Sequence, residues 1–213
     1  LGIPGDLEQA VALVSGDARR IRTIDMGRVR GSVMNEQMFL LRLSIGYFAR
    51  MTEGAARENK NRMGVLAYAF SALNALPQAE MVRFRVEIDG EVVESEGVTC
   101  IVANSGALGV PGLTFSRQVS IDDGLLDVVV MRNADLLEVA KVLGNSLSGL
   151  ENLPHWQGRE ITLHADPVQP IECDGEMIDP TPITVSIVPQ ALQVIVPDAM
   201  TVEAVAQALL TQE

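Results

Sequence analysis

Alternation of apolar and polar positions is clearest between residues 82 and 93. Val82, Phe84, Val86 and Ile88 alternate with Arg83, Arg85 and Glu87, and Asp89-Gly90 then precedes Glu91, Val92 and Val93. A period of two on either side of Asp-Gly predicts a β-hairpin. Its return strand is expected to continue through Cys100 to Ala103. Further strands are predicted over 19–30 (Ile21, Ile24, Met26, Val29), over Met38 to Ile45, and over Leu125 to Met131, the first two joined by a turn near Gly31. Short runs at 161–164, 168–173, 183–188 and 192–196 complete the β pattern, punctuated by Pro167, Pro170, Pro180, Pro182 and Pro189.

Helical spacing is scarcer. Leu7 to Val14 follows Asp6, placed as N-cap with Gln9 three residues on and Gly16 past the end, so a short helix is expected. Met63, Leu66, Phe70 and Leu73 predict a helix over 62–75 that stops before Pro77, and the polar stretch Gly46 to Arg62 before it reads as a loop. Asn133 is placed to cap a helix carrying Leu136, Ala140, Leu143 and Leu147, and Val202, Val205 and Leu209 predict a terminal amphipathic helix. Strands outnumber helices and come in consecutive runs. The expected class is therefore α+β, a mainly antiparallel β-sandwich-like domain with a few peripheral helices.

At 213 residues and 47% hydrophobic content the chain can bury a substantial core. The formal charge of −12 argues against a nucleic-acid partner. That charge is uneven: residues 1–62 hold ten Lys and Arg against seven acids, and residues 150–213 hold Arg159 against ten. Arg50, Arg57, Lys60 and Arg62 form a candidate basic patch for a phosphate or an anionic membrane surface. Cys100 and Cys173 lie in apolar, strand-like settings and are expected to be free buried thiols in a reducing, cytoplasmic compartment. The chain opens at Leu1 on a turn and a capped helix, and it is expected to be a piece of a longer protein.

Candidate chemistry concentrates in two acidic bends. Ser120, Ile121, Asp122, Asp123 and Gly124 deliver the chain into the apolar run from Leu125 to Val130, and carboxylate and carbonyl oxygens around such a glycine suit a hard cation. Fifty residues on comes Asp174-Gly175-Glu176. The same tripeptide occurs at Asp89-Gly90-Glu91, where a hairpin accounts for it, so the tripeptide is not specific by itself. The second copy differs in lying among prolines and acids. His155 and His164 are too isolated to be read as ligands, and Trp156 reads as a packing residue.

The order of three features resembles a known family. An Asn-initiated glycine-rich loop (Asn104 to Gly112), then Asp123-Gly124-Leu125-Leu126-Asp127-Val128, then Asp174-Gly175-Glu176 resembles the soluble diacylglycerol kinase and sphingosine kinase family of lipid kinases. Leu1-Gly2-Ile3-Pro4 looks like the segment that follows the nucleotide-binding half in those proteins, and the strand from Phe39 to Gly46 is similar to one beside their interdomain cleft. Leu41, where asparagine is frequent, and Phe115-Ser116, where Ala-Pro is usual, depart from the pattern.

The resemblance implies the C-terminal domain of a two-domain kinase, its ATP-cradling glycine loop lying in a missing first domain. Residues 1–18 would be a linker helix from that domain, 19–196 the β-rich lipid-kinase domain, and 197–213 a helix packing on the missing part or on a second copy in a homodimer. It further implies Mg²⁺ held by the Asp123 carboxylate with the backbone carbonyls of Ser120 and Leu125, and Glu176 as proton acceptor with Asp174 as its acidic neighbour. ATP would be the phosphate donor and diacylglycerol or a related lipid the acceptor, with peripheral contact to a membrane. Two other readings stay open: a related NAD-kinase-like enzyme with a soluble acceptor, and a non-catalytic β-rich binding or regulatory domain.

Overall fold

The computed structural model describes residues 3, 6–16, 19–33, 35–58, 79–106, 119–132 and 153–197. The expected helices at 62–75, 133–147 and 198–210 fall outside the described residues, as do Lys60, Arg62 and most of the glycine-rich loop. The chain divides into two compact units, one formed by residues 1–24 with 190–213 and the other by residues 25–189.

The smaller unit holds helix α1 (Leu7–Ser15). Asp6 is its N-cap as expected, its carboxylate accepting the Gln9 N–H at 3.0 Å.

The larger unit is a sandwich of antiparallel strands. One sheet runs β2 (Gln37–Phe39), β1 (Arg19–Arg30), β12 (Ile183–Pro197), β9 (Glu160–Asp166), β4 (Val82–Ile88) and β5 (Glu91–Gly97), with β1 and β12 extending into the smaller unit. The other runs β11 (Glu176–Ile178), β10 (Ile171–Cys173), β3 (Arg42–Gly46), β6 (Thr99–Ala103), β7 (Leu126–Met131) and β8 (His155–Gly158). Alternate residues from both meet in one core: Val29, Phe39, Phe84, Val86 and Leu163 from the first sheet, Leu43, Ile45, Val102, Val128 and Ile171 from the second. Trp156 packs against this core, a packing residue as expected. The outer face of the second sheet has its own smaller cluster, Ile101, Ala103, Val129 and Met131 beneath Tyr47 and Phe48.

Several expectations are refined. The apolar run from Met38 to Ile45 is two strands in different sheets, split at Leu40 and Leu41. The return strand after Glu91 changes sheet at Val98, whose N–H donates to Met131 O at 2.9 Å. The runs at 183–188 and 192–196 are one strand, β12. The polar stretch after Gly46 forms helix α2 (Tyr47–Glu58), not a loop, since its Ala, Arg, Met and Glu residues favour helix despite Gly54. Arg50, on that helix, is engaged with Gln169 (2.8 Å) and Glu80 (3.8 Å). No helix among the described residues is long and apolar enough to cross a membrane.

Candidate functional site at one end of the sandwich

The Asp174-Gly175 bend is a two-residue hairpin between β10 and β11, with Cys173 opposite Glu176. Both bend residues have positive φ, 47° and 100°, as do Asp89 (49°) and Gly90 (90°). Asn, Asp and Gly tolerate that region, and the pairing matches a type I′ turn in both places. The two copies of the tripeptide are thus the same local structure. The aspartates also act alike. Asp89 accepts the N–H groups of Arg159 (3.0 Å) and Glu160 (2.8 Å). Asp174 accepts those of Leu40 (2.6 Å), Leu41 (3.0 Å) and Arg42 (2.9 Å), so its carboxylate binds the backbone where the chain crosses between sheets. Glu176, exposed on the first position of β11, shares the face of its cross-strand partner Cys173. Two residues before Asp174, the buried Glu172 takes the Gly175 N–H.

The other bend lies at the same end. Cys173 pairs with Leu43, Arg42 with Ala103, and Ala103 with Asp127. The β10–β11 turn, the start of β3, the end of β6 and the start of β7 therefore line one edge of the sheet. Four inter-strand steps place β11 and β7 about 19 Å apart, with Glu176 and the loop that leads into β7 at the same end of the sheet.

Within the loop, Ser120 Oγ donates to Asp122 (2.8 Å) and Asp123 Oδ1 accepts the Leu125 N–H (3.0 Å). Gly124, at φ 73°, lets the chain reverse between them. Among the described residues no three His, Cys, Asp or Glu side chains are grouped to hold a metal. Asp123 is exposed in this loop, and its carboxylate is a hard oxygen donor of the kind Mg²⁺ takes.

A hydrogen-bonded path joins the two bends. The Leu41 carbonyl accepts the N–H groups of Asn104 (2.9 Å) and Ser105 (3.0 Å). Asn104 Nδ2 donates to Leu40 O (2.9 Å) and to Asp25 O (3.0 Å). Asp25, on β1, donates its N–H to Ile121 O (2.8 Å) and accepts the Gly124 N–H on Oδ2 (2.7 Å). Asp25 and Asn104 are both buried.

Residues 42–196 match the family described as the YegS C-terminal NAD kinase beta sandwich-like domain. The chain belongs to that family. An uncharacterised protein of Synechocystis sp. is 30% identical over 92% of this chain and 46% of its own length. A protein of Bacillus subtilis named diacylglycerol kinase is 25% identical over 83% of the chain and 57% of its own. A crystal structure titled as a diacylglycerol kinase from Bacillus anthracis superposes with a TM-score of 0.69 at 22% identity, over 94% of this chain and 64% of that one, and shares the fold. The chain spans about half the length of the curated relatives it matches.

Two sets of polar contacts in this YegS C-terminal-type domain escape a sequence reading. Asp25 sits in an ordinary β pattern, and its partners are about a hundred residues away. Asp127 is fully buried on β7, where His155 Nε2 (2.5 Å) and Gln157 Nε2 (3.0 Å) meet its Oδ1. Burial pushes the Asp127 carboxyl up, the bonds from His155 and Gln157 pull it back, and the charge of Asp123 adds a smaller upward push. His155, read as isolated, is in fact bound to this acid. Asn104 Oδ1 and Asp127 Oδ2 are buried with no hydrogen-bond partner among the described residues.

Proposed function

We propose that this domain is the acceptor side of an ATP-dependent lipid kinase, one that moves the γ-phosphate of ATP to a hydroxyl of diacylglycerol or a related lipid. The observation that carries the reading is the gathering of two acidic bends, connected through Asp25 and Asn104, at one end of a family fold shared with a protein named diacylglycerol kinase. Glu176, exposed on its turn, serves as proton acceptor for the lipid hydroxyl. Asp174 stands beside it and holds the turn against Leu40–Arg42.

Asp123, with the carbonyls of Ser120 and Leu125, holds Mg²⁺, which supplies charge neutralisation to the end of the sandwich when bound. The ATP phosphates are held by a domain preceding this one, as in a two-domain kinase, and these 213 residues alone are inactive. The protein works in the cytoplasm at the membrane surface where its lipid lies.

The test is acceptor choice. The polypeptide carrying this domain, with the part that precedes it, is incubated with labelled ATP, Mg²⁺ and either diacylglycerol in mixed micelles or NAD. Label in the lipid phosphate is the expected result. Label in NAD with none in lipid, or in neither, would overturn the proposal.

A further inference from the structure

Asp-Gly occurs at 89–90, 123–124 and 174–175. A glycine nitrogen, unhindered by a side chain, can close a ring on the carboxyl of the residue before it, so each copy is open in principle to rearrangement of the backbone. All three aspartates are exposed, and a Cβ built on any of the three glycines would meet no neighbour. A proton acceptor at the attacking nitrogen does not separate them either: the Gly124 N–H donates to Asp25 and the Gly175 N–H to Glu172. What differs is how each carboxylate is held. Asp89 binds the amides of Arg159 and Glu160, and Asp174 binds those of Leu40, Leu41 and Arg42, all far away in sequence. Among the described residues Asp123 is tied to one amide only, that of Leu125, two residues on in its own loop.

We propose that Asp123-Gly124 is a modification site, the place where this chain converts aspartate to isoaspartate, and that the other two copies are protected by the amides their carboxylates hold. The step needs water alone. The Gly124 nitrogen attacks Cγ of the protonated Asp123 carboxyl, and the carboxyl OH leaves with the amide proton as water, closing a succinimide. A second water then opens the ring. Opening at Cγ restores aspartate, whereas opening at the main-chain carbonyl leaves the backbone running through the β-carbon, with the carboxylate on Cα and no change in mass. The turn that leads into β7 is then one methylene longer. To close the same ring, Asp89 or Asp174 must first turn away from two or three amides and strand those donors.

The chain is aged at neutral pH without added divalent cations, digested, and read by electron-transfer fragmentation, which tells isoaspartate from aspartate at equal mass. Methylation by protein isoaspartyl methyltransferase counts the same product independently. Isoaspartate should accumulate at 123, with 89 and 174 behind by at least about tenfold, the factor set by about 1.4 kcal/mol of hydrogen bonding given up before the ring can close. In guanidinium chloride, where none of the carboxylates is held, the three copies should convert alike. No isoaspartate at 123 in the native chain, or as much at 89 or 174, would overturn the proposal. So would a lead for 123 that is just as large in denaturant, since the neighbouring sequence and not the fold would then set it.

Asp123→Asn gives a second readout on the folded chain. Ring closure then expels ammonia, and an amide is a better electrophile than a carboxylate at neutral pH, so this variant should convert faster than the parent and gain mass at residue 123. A variant that keeps its amide through the same ageing would mean that the loop holds residue 123 out of reach of the Gly124 nitrogen, and the proposal would fail.

Discussion

Asp174 holds the Leu40 amide at 2.6 Å across 134 residues of sequence, and the same carboxylate reaches the next two amides of the chain. The crossing from one sheet to the other is otherwise a bare backbone segment whose N–H groups have left one ladder before entering the next. An anion facing successive amides answers that need. Asp174→Ala should cost about 1–3 kcal/mol in urea denaturation, the penalty for stranding such donors. Asp89→Ala should cost a similar amount, since Asp89 holds Arg159 and Glu160 in the same way. The two should part in function: only the change at 174 should also lower lipid phosphorylation, because only that crossing carries Asn104. Equal turnover in both variants would separate the crossing from the active end.

Gly27 faces Phe39 across the β1–β2 pair, and a Cβ on residue 27 would stand 1.9 Å from the ring. Phe39 is buried in the main core and has nowhere to retreat. Gly27→Ala is expected to destabilise by about 1–3 kcal/mol, as overpacked cores do. Phe39→Leu in the same chain should recover part of that loss, and a double-mutant cycle without coupling would contradict the contact.

Glu176 tests the proton-acceptor role directly. In the polypeptide that contains this domain, Glu176→Gln should lower kcat by at least about a hundredfold. The residue is exposed on an edge strand, so the folded stability should stay close to that of the parent. Near-parental turnover would remove Glu176 from the chemistry and leave the turn as a structural bend.

How far these features were legible in the chain depends on how local their causes are. The 82–97 hairpin, the Asp6 cap and the strand 126–131 follow from spacing within a few residues, and they were readable. The break at Leu40 was not, because an apolar run looks continuous until a distant carboxylate picks out the residues where it turns. Helix α2 was hidden by a polar composition that neighbouring strands tolerate. In the site, both acidic bends could be found as turns. Asp25 and the His155 bond to Asp127 could not, since each is defined only by a partner brought near by the fold.

The two thiols lend themselves to a pH test whose sign is fixed by burial. Cys100 and Cys173 are free and buried. Burial pushes the Cys100 thiol far up, and burial first, then the charges of Asp174, Glu172 and Glu176, pushes Cys173 up to about 12. At pH 8 a thiol of that acidity is about one part in ten thousand thiolate, against about a quarter for an unfolded cysteine near 8.5. Iodoacetamide should therefore modify neither cysteine in the native chain and both in denaturant, as mass spectrometry would show. The linkage runs one way. Well below the unfolded value near 8.5 both states keep the proton and the thiols contribute no slope. Above it the unfolded chain releases protons that the folded chain retains, and stability falls by about 1.4 kcal/mol per pH unit for each thiol until the folded value is reached. Cys173→Ala should remove that share of the alkaline loss between pH 9 and 11. A variant whose stability declines as steeply as the parent's would mean that Cys173 ionises in the folded state, and that the strand around it is open to water.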